Sequence, residues 1–359
     1  MTRALPILAA FLISASGAAA QAVGYGAAAT GGSGGAACHV RDEAKLRACL
    51  TGDNPAKVVI DAPLSVEPGR RPIEVGSNKT LDGAGKLDIV HDWIGLRLQG
   101  SRNIIVRGVS FRGSGADIFP EKQSNCAHPS RPADVEGCGV SIAMTGAARD
   151  VWIDHNDFVA CGNKCIDGWG KVQAAGTVPA PDLITISNNV FRDSYYAILF
   201  GVAPQVPDDQ MPTQPGRVTL YGNLFDDIMR RSPRAAAGYR LHVFNNVIRH
   251  FGGRGSCHSI DFGFGPSTVS GGQILLQNNV IEAWPGGGGC KAADYVEPDV
   301  PAEASRGEGL IASMDNLTRN GAAASGRDRV FRPGYNFSPL PASQVESAVN
   351  ANAGVRPGG

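Results

Sequence analysis

The chain has 359 residues, of which 33 are Lys or Arg and 33 are Asp or Glu, so its formal net charge is zero. This balance excludes a global electrostatic attraction to nucleic acid or to an anionic membrane, and any anion recognition must be local. With 47 Gly, 23 Pro and 7% aromatic residues, the composition favours many short strands joined by tight turns over long helices.

Residues 1–20 have the layout of a secretory signal. Arg3 precedes an apolar run over 4–14, and small residues fill 18–20. No other stretch is apolar for long enough to cross a bilayer. We therefore expect a secreted chain, extracellular or periplasmic, that starts near Gln21, has no membrane anchor and is a monomer.

Eight cysteines follow the signal, an even number that suits disulfides in an oxidising compartment. They are Cys38, Cys49, Cys126, Cys138, Cys161, Cys165, Cys257 and Cys290. Connectivity cannot be read from the sequence, and pairing of neighbours is our working hypothesis. Cys161 and Cys165 could be half of a zinc site, but no second pair of Cys or His ligands accompanies them.

The first elements are a short amphipathic helix within 38–50, which would cap one end of the fold, and strands near 58–61 and 78–83. After these, alternating apolar residues followed by Asn and another apolar pair recur six times. The copies end at Phe111, Phe158, Phe191, Phe225, Ile248 and Ile281, with intervals of 47, 33, 34, 23 and 33 residues.

A strand that recurs at such intervals, with the excess length in insertions, is typical of a solenoid. Gly- and Pro-rich intervals this short leave little room for helical crossovers. We therefore predict an all-β fold, a right-handed parallel β-helix, as a single domain over 21–340. The Gly- and Ala-rich C-terminal part lacks the pattern after Ile281, and 341–359 is expected to be a poorly ordered tail.

Asparagine occupies the same place in five successive copies, and stacked side-chain amides can hydrogen-bond along a coil. These residues, interpreted as structural, are Asn156, Asn189, Asn223, Asn246 and Asn279. The insertions 112–138, 159–182, 192–216, 226–240 and 249–272 would project from the same corners of consecutive rungs. Such loops on a rigid scaffold are expected to line one substrate groove.

Four arginines within eleven residues, Arg230, Arg231, Arg234 and Arg240, lie between two of these strands. Because an arginine fork stays charged and matches a carboxylate, the cluster indicates an anion site. The alternative is a solvated basic turn.

Several motifs in this order resemble polysaccharide lyase family 1, the pectate lyases. They are Val151-Trp152-Ile153-Asp154-His155, Thr185-Ile186-Ser187-Asn188-Asn189, Arg231-Ser232-Pro233-Arg234 and His242-Val243-Phe244-Asn245-Asn246. The resemblance implies a lyase that cleaves polygalacturonate or pectin by β-elimination: a base removes the proton beside the uronate carboxylate and the 4-linked sugar leaves. It also implies Ca²⁺, a hard ion held by carboxylate oxygens, as the cofactor.

By this resemblance Arg231 is the proposed proton acceptor and Arg234 binds a substrate carboxylate. The Ca²⁺ pair maps to Asn163 and Asp167, and Asp154, Asp134 or Glu136 would complete a weakened site. Two positions depart from the family pattern. Ala236 replaces a third arginine and Tyr196 replaces a lysine, so Lys171 or Arg240 would have to supply the lost cation.

Alternation along the strand 151–155 predicts that His155 faces the core as a hydrogen-bonded residue, opposite Asp154, and the same interpretation applies to His242. Two alternatives to a pectate lyase remain open. One is a pectin lyase-like enzyme, which acts on methyl-esterified chains without Ca²⁺. The other is a non-catalytic β-helical protein that binds polysaccharide.

Overall fold

A computed structural model of the protein describes residues 22–69, 71–113, 139–170, 179–202, 206, 210–212, 214–251, 266–268, 271–283, 285, 309–324, 326 and 329–356. The expected signal 1–20, Asp134, Glu136 and Lys171 lie outside the described residues, and so do four of the cysteines, Cys126, Cys138, Cys257 and Cys290. In the described part, no helix has the length and apolar character needed to cross a membrane.

Parallel strands make up most of the described chain. In chain order they are β1 (Ala36–Val40), β2 (Ala56–Ile60), β3 (Leu64–Val66), β4 (Ile73–Glu74), β5 (Lys79–His91), β6 (Ile94–Gln99), β7 (Arg102–Gly113), β8 (Val140–Thr145), β9 (Arg149–Asp154), β10 (Asp157–Val159), β11 (Lys164–Gly170), β12 (Asp182–Ser187), β13 (Val190–Val202), β14 (Gly216–Tyr221), β15 (Leu224–Arg230), β16 (Arg234–Ala235), β17 (Tyr239–Phe244), β18 (Val247–Phe251), β19 (Ser267–Thr268), β20 (Gln273–Gln277), β21 (Val280–Ala283), β22 (Leu310–Met314) and β23 (Leu317–Arg319).

The pairings arrange these strands into three faces of a coil. The first face runs β1, β2, β5, β7, β9, β12, β14, β17, β20, β22. The second runs β3, β5, β7, β10, β13, β15, β18, β21, β23. The third runs β4, β6, β8, β11, β13, β16, β19. The predicted right-handed parallel β-helix is confirmed.

The apolar residues that end the sequence copies stack in register inside the second face. Phe111 pairs with Phe158, Phe158 with Phe191, and Phe191 with Phe225. Their rings are stacked, with centroids 4.8–4.9 Å apart. Ile248 and Ile281 continue the column as buried residues. Each rung therefore buries its inward side chains against the same residues of the next rung.

The predicted asparagine ladder forms between the first and second faces. Each amide nitrogen donates to the Oδ1 of the next asparagine, at 2.9–3.0 Å, from Asn156 as far as Asn279. Asn279 donates in turn to Asn316, a sixth member that the sequence analysis missed. The left-handed conformation belongs to the residue before each ladder position, for example Asn188 at φ 52° and Asn245 at φ 52°.

The predicted N-terminal helix is α1 (Glu43–Leu50), which follows β1. Its N-terminus is capped by Asp42, whose Oδ1 accepts from the Lys45 amide at 2.8 Å. Leu46 and Leu50 are buried against the first rung. A disulfide between Cys38 and Cys49 joins α1 to β1.

Cys161 and Cys165 form a second disulfide, not half of a metal site. Pairing of neighbours is thus confirmed for the four cysteines that the structure describes.

The C-terminal part differs from the prediction in two ways. First, β22 and β23 add a further rung, although the pattern was expected to end at Ile281. Second, α2 (Ala342–Asn352) stands where a poorly ordered tail was expected. The second face also presents apolar residues on its outer side, and Val345 and Val349 of α2 are buried against them. These outer residues are Val190, Leu224, Val247 and Val280.

His242 is fully buried and hydrogen-bonded, as predicted. It does not lie inside the coil, however. Leu241 and Val243 point into the core, so His242 lies on the outer side of the first face, where its Nδ1 is 2.5 Å from the Tyr335 hydroxyl. Burial lowers the pKa of His242 to about 4.

Candidate active site

The sequence insertions contain the strands of the third face as well as loops. The interval 159–182 holds β11, 192–216 holds the second half of β13, and 226–240 holds β16. Their outward residues form a floor, which is the described part of the expected groove. The expected loop 112–138 lies mostly outside the described residues.

A bend in β11 and in β13 turns selected side chains onto this floor. Cys165 and Ile166 are consecutive core residues, as are Ala197 and Ile198. Strict alternation would put one member of each pair outside. The bend therefore directs the residues on both sides of a pair, Lys164 and Asp167 in β11, away from the core. The Lys164 Nζ lies 3.6 Å from Asp167 Oδ2.

The strand register lines these residues up in rows across three rungs. In the first row Lys164 is paired with Tyr196, and Tyr196 with Arg230. The second row contains Asp167, Leu199 and Arg234, in that order. The floor thus carries an acid at one side and a basic group at the other, with an apolar residue between them.

Arg231 occupies an unusual position beside the first row. It adopts the left-handed region at φ 64°, which L-residues with a long side chain rarely take. Its carbonyl accepts a 2.9 Å hydrogen bond from the Ile198 amide, which fixes the backbone to β13. Its guanidinium carbon lies 3.8 Å from the ring centroid of Tyr196, and that of Arg230 lies 5.7 Å away. Tyr196 therefore holds two cations against its ring.

A third row is apolar. Trp169 is paired with Gly201, and Ala236 follows on the next rung, where its amide donates to Phe200 at 2.8 Å. A Cβ on Gly201 would lie 2.6 Å from the Ala236 Cβ and 2.8 Å from Cζ3 of Trp169. The indole thus lies across the bare Gly201 backbone. Trp169, Leu199 and Ala236 form one apolar cluster.

The structure brings together four of the sequence-predicted residues on this floor: Arg231, Arg234, Tyr196 and Asp167. Asn163 directly precedes β11 and is buried. The structure does not bring Asp154 to the floor. Asp154 ends β9 on the first face, whereas Asp167 lies in β11 on the third. Asp154 also has its own partners: Oδ1 accepts from Ser187 Oγ at 2.5 Å and Asn188 Nδ2 at 3.0 Å.

His155 was wrongly predicted to face the core. It takes the left-handed conformation at φ 52°, so the alternation of β9 ends before it. Its ring is half-buried at the outer surface, and its Nδ1 lies 2.6 Å from Asp154 Oδ2. Arg240 is not on the floor either. It lies in β17 on the first face, with its guanidinium carbon 5.9 Å from the Phe331 ring centroid.

The described residues do not fit a Ca²⁺ ion. Calcium takes about six to eight oxygen ligands, with carboxylates prominent among them. On the described part of the floor, Asp167 Oδ2 lies 3.6 Å from the ammonium of Lys164, a competing cation. The buried Asn163 would add only a neutral amide oxygen. No group of three or more His, Cys, Asp or Glu side chains that could hold a metal occurs among the described residues.

Two charged or aromatic floor residues, Lys164 and Trp169, were missed by the sequence analysis, and Arg230 was recognised only as a member of the arginine cluster. Lys164 lies inside the short Cys161–Cys165 loop, where it was passed over as part of a possible zinc site. A signal for it existed, since Lys164 follows Phe158 by six residues and Tyr196 follows Phe191 by five, so aligning the rungs places Lys164 next to the Tyr196 position. Trp169 carried no periodic signal.

A family model described as pectate lyase matches residues 1–357. A curated relative, the probable pectate lyase 6 of Arabidopsis thaliana, is 27% identical over 266 residues, which are 70% of this chain and 52% of the relative. The pectate trisaccharide-lyase of Thermotoga maritima is 28% identical over 216 residues, 60% of this chain and 52% of that protein. The chain thus spans about half the length of these relatives.

Solved structures share the fold. The major allergen of cedar pollen has a TM-score of 0.67 at 20% identity, with 93% of each chain covered. The pectate lyase of Bacillus sp. N165 in complex with trigalacturonate has a TM-score of 0.61 at 18% identity, covering 93% of this chain and 98% of that one. With a family model that matches nearly the whole chain, and with the same coil in these structures, the protein belongs to the pectate lyase family.

Proposed function

We propose that this protein is a secreted lyase that cleaves an acidic polysaccharide of the polygalacturonate or pectin type by β-elimination. One observation carries the proposal: Arg231 is held in a left-handed conformation with its guanidinium stacked on Tyr196, beside Arg230 and one row from Arg234. Among the described residues sixteen non-glycine residues have positive φ, mostly at turns between rungs, and Arg231 is the one arginine or lysine among them. Non-glycine residues in this conformation are found at functional sites more often than elsewhere. The names of the relatives and the trigalacturonate in one structural neighbour support the choice of substrate.

The reaction needs a base and a cationic surface. The base removes the proton on the sugar carbon beside the carboxyl group, and the electron pair of the broken carbon–hydrogen bond forms the new carbon–carbon double bond. The bond from the neighbouring carbon to the glycosidic oxygen then breaks, and the leaving oxygen takes up a proton. Negative charge develops on the carboxyl group during this step, so preorganised cations stabilise the transition state. Arg234 and Arg230 are placed to supply that charge.

Arg231 is the proposed proton acceptor. A guanidinium has no proton-accepting site until it loses a proton, which is strongly disfavoured near neutral pH, and stacking on an aromatic face further favours the cationic form. We therefore expect turnover by this site to rise with pH through the alkaline range, because only the deprotonated fraction can accept the proton. Lys164, from the neighbouring rung, supplies an ammonium in the row where Tyr196 replaces the lysine of the family pattern.

Replacement of Arg231 tests the proposal. Arg231→Ala should lower kcat on polygalacturonate by about 10²–10⁴-fold, as expected for loss of a positioned base. Arg231→Lys should keep part of the turnover, and its pH profile should level off at lower pH, because lysine has a lower pKa than arginine. Formation of the unsaturated uronide, followed by its ultraviolet absorbance, is the measurement.

Arg319→Ala is the matched control, since Arg319 lies at the end of β23, away from the floor, and pairs with Glu346 of α2. It should keep wild-type kinetics. Undiminished turnover by Arg231→Ala would remove Arg231 from the mechanism. Absence of unsaturated product from folded wild-type protein, on both polygalacturonate and methyl-esterified pectin, would favour the non-catalytic binding protein instead.

A pectin lyase-like enzyme is the second candidate, and the apolar third row of the floor favours it. A methyl ester has no charge to neutralise, so turnover of esterified pectin should resist EDTA. Turnover of polygalacturonate should fall when EDTA removes divalent cations that neutralise its carboxylates. Equal sensitivity of both substrates to EDTA would argue against this candidate.

A further inference from the structure

The apolar cluster of Trp169, Leu199 and Ala236, here called the Trp169 patch, interrupts an otherwise charged floor. Leu199 and Ala236 are buried, while Trp169 is half-buried and covers them with its indole. The side chains come from three consecutive rungs, so the coil fixes their relative positions. A rigid scaffold of this kind makes the patch a preformed surface.

The patch lies next to the proposed reaction centre. In the second row Leu199 lies between Asp167 and Arg234. Ala236 is the next outward-facing residue after Arg234 along the chain. Successive outward residues of a strand are about 7 Å apart. A polysaccharide lying across the floor with a carboxylate at Arg234 would therefore place a neighbouring group on the patch.

The chemistry of the patch disfavours a free carboxylate. A charged group that loses water against an apolar surface is destabilised unless a cation pairs with it. In the described third row, Trp169, Gly201 and Ala236 offer no cation. An uncharged methyl ester or the carbon–hydrogen face of a sugar ring, by contrast, gains contact with the indole.

Gly201 is what allows the indole to lie there. Any side chain on Gly201 would meet both Cζ3 of Trp169 and the Ala236 Cβ within 3 Å. Conversely, a long side chain at position 236 would extend from the same point and cover or displace the indole. The small residues at 201 and 236 and the large residue at 169 therefore act together.

We propose that the Trp169 patch is a subsite for a methyl-esterified uronate, adjacent to an uncapped uronate held by the arginines. The inference rests on the proposed function and specifies its substrate: a partly esterified chain is preferred over fully de-esterified polygalacturonate. Trp169 and Ala236 are then the residues that determine this preference.

Pectins of increasing methyl esterification test the subsite. The quantity to measure is the ratio of kcat/KM on highly esterified pectin to kcat/KM on polygalacturonate. Trp169→Ala should lower this ratio by about 10-fold, the scale for loss of an apolar contact in a pocket. Ala236→Arg should also lower the ratio, but by raising kcat/KM on polygalacturonate and not by reducing kcat/KM on pectin. Trp152→Phe, which changes a tryptophan packed beneath the N-terminal segment, should leave the ratio unchanged.

A binding experiment separates this inference from the proposed function. In Arg231→Ala protein, calorimetric titration with methyl-esterified and free trigalacturonate should give tighter binding of the ester, and Trp169→Ala should abolish the difference. If wild-type protein forms no unsaturated product, the proposed lyase activity is wrong, but the binding comparison still tests whether the Trp169 patch prefers a methyl ester. Equal binding of the two ligands, or a ratio unaffected by both variants, would overturn the inference. Unfolding midpoints in urea verify that each variant is folded.

Discussion

Arg231 illustrates how much the candidate site depends on a single residue. A left-handed conformation at a non-glycine residue costs roughly 1–2 kcal/mol. The Ile198 amide that donates to its carbonyl and the Tyr196 ring under its guanidinium hold it there. From the sequence, Arg231 was identified by its motif. Its contact with Tyr196 was not foreseen, because the two residues are 35 positions apart and meet through the register of β13 and β15.

His242 provides a residue-scale prediction about stability. Burial lowers its pKa to about 4, whereas an unfolded histidine titrates near 6.5. Between these values the unfolded chain binds a proton that the folded protein does not, so stability falls as pH decreases below about 6.5. The contribution at pH 5 should be a loss of about 2 kcal/mol relative to pH 7.

Urea unfolding at pH 7 and pH 5 measures this effect. His242→Asn should reduce the loss of stability between the two pH values. Part of the loss should persist in His242→Asn, because burial also lowers the pKa of His91 to about 4. An identical pH dependence in His242→Asn and wild type would contradict the assignment.

At the scale of elements, the asparagine ladder ties the rungs together. Asn223 is fully buried. Its Oδ1 accepts from the backbone amide and the side chain of Asn189, and its Nδ2 donates to Asn246 Oδ1. The ladder was predicted from the sequence because each copy of the repeat contains both the strand and the asparagine that follows it. The sixth member was missed, since Asp315 replaces the usual asparagine before Asn316 and the interval lengthens to 37 residues.

Removal of an interior ladder member should be costly. Asn223→Ala leaves buried partners on both sides unsatisfied, and we expect it to lower the free energy of unfolding by about 2–4 kcal/mol. Asn316→Ala, at the partly exposed end of the ladder, should lower it by about 1 kcal/mol. Chemical denaturation measures both values. Equal losses at the two positions would show that the ladder does not act as a continuous network.

At the scale of the whole molecule, α2 braces the coil from outside. Stability in a solenoid is roughly a sum over neighbouring rungs, so an element that contacts several rungs couples them. Val345 and Val349 pack on outward residues of four consecutive rungs, namely Val190, Leu224, Val247 and Val280. These residues directly follow the ladder asparagines, so the ladder and the brace act on the same corner.

The brace predicts a measurable loss of stability. Val345→Ala removes two buried methyl groups and leaves a cavity, and should lower the free energy of unfolding by about 2 kcal/mol. Gln344→Ala, on the exposed side of the same helix, should change it by less than about 0.5 kcal/mol. The midpoint of thermal or urea unfolding gives the comparison, and an unchanged midpoint in Val345→Ala would show that α2 is not coupled to the coil.

The sequence by itself determined the coil, the phenylalanine column, the asparagine ladder, the family and the arginine motif. All of these follow from local patterns that repeat or occur within a few residues. Only the tertiary structure decided which residues share the floor: Lys164 beside Tyr196, Leu199 between Asp167 and Arg234, and Trp169 across Gly201. The physical reason is register. Side chains from different rungs become neighbours through backbone pairing and a bend at consecutive core residues. Neither feature can be recognised in a single segment of the sequence.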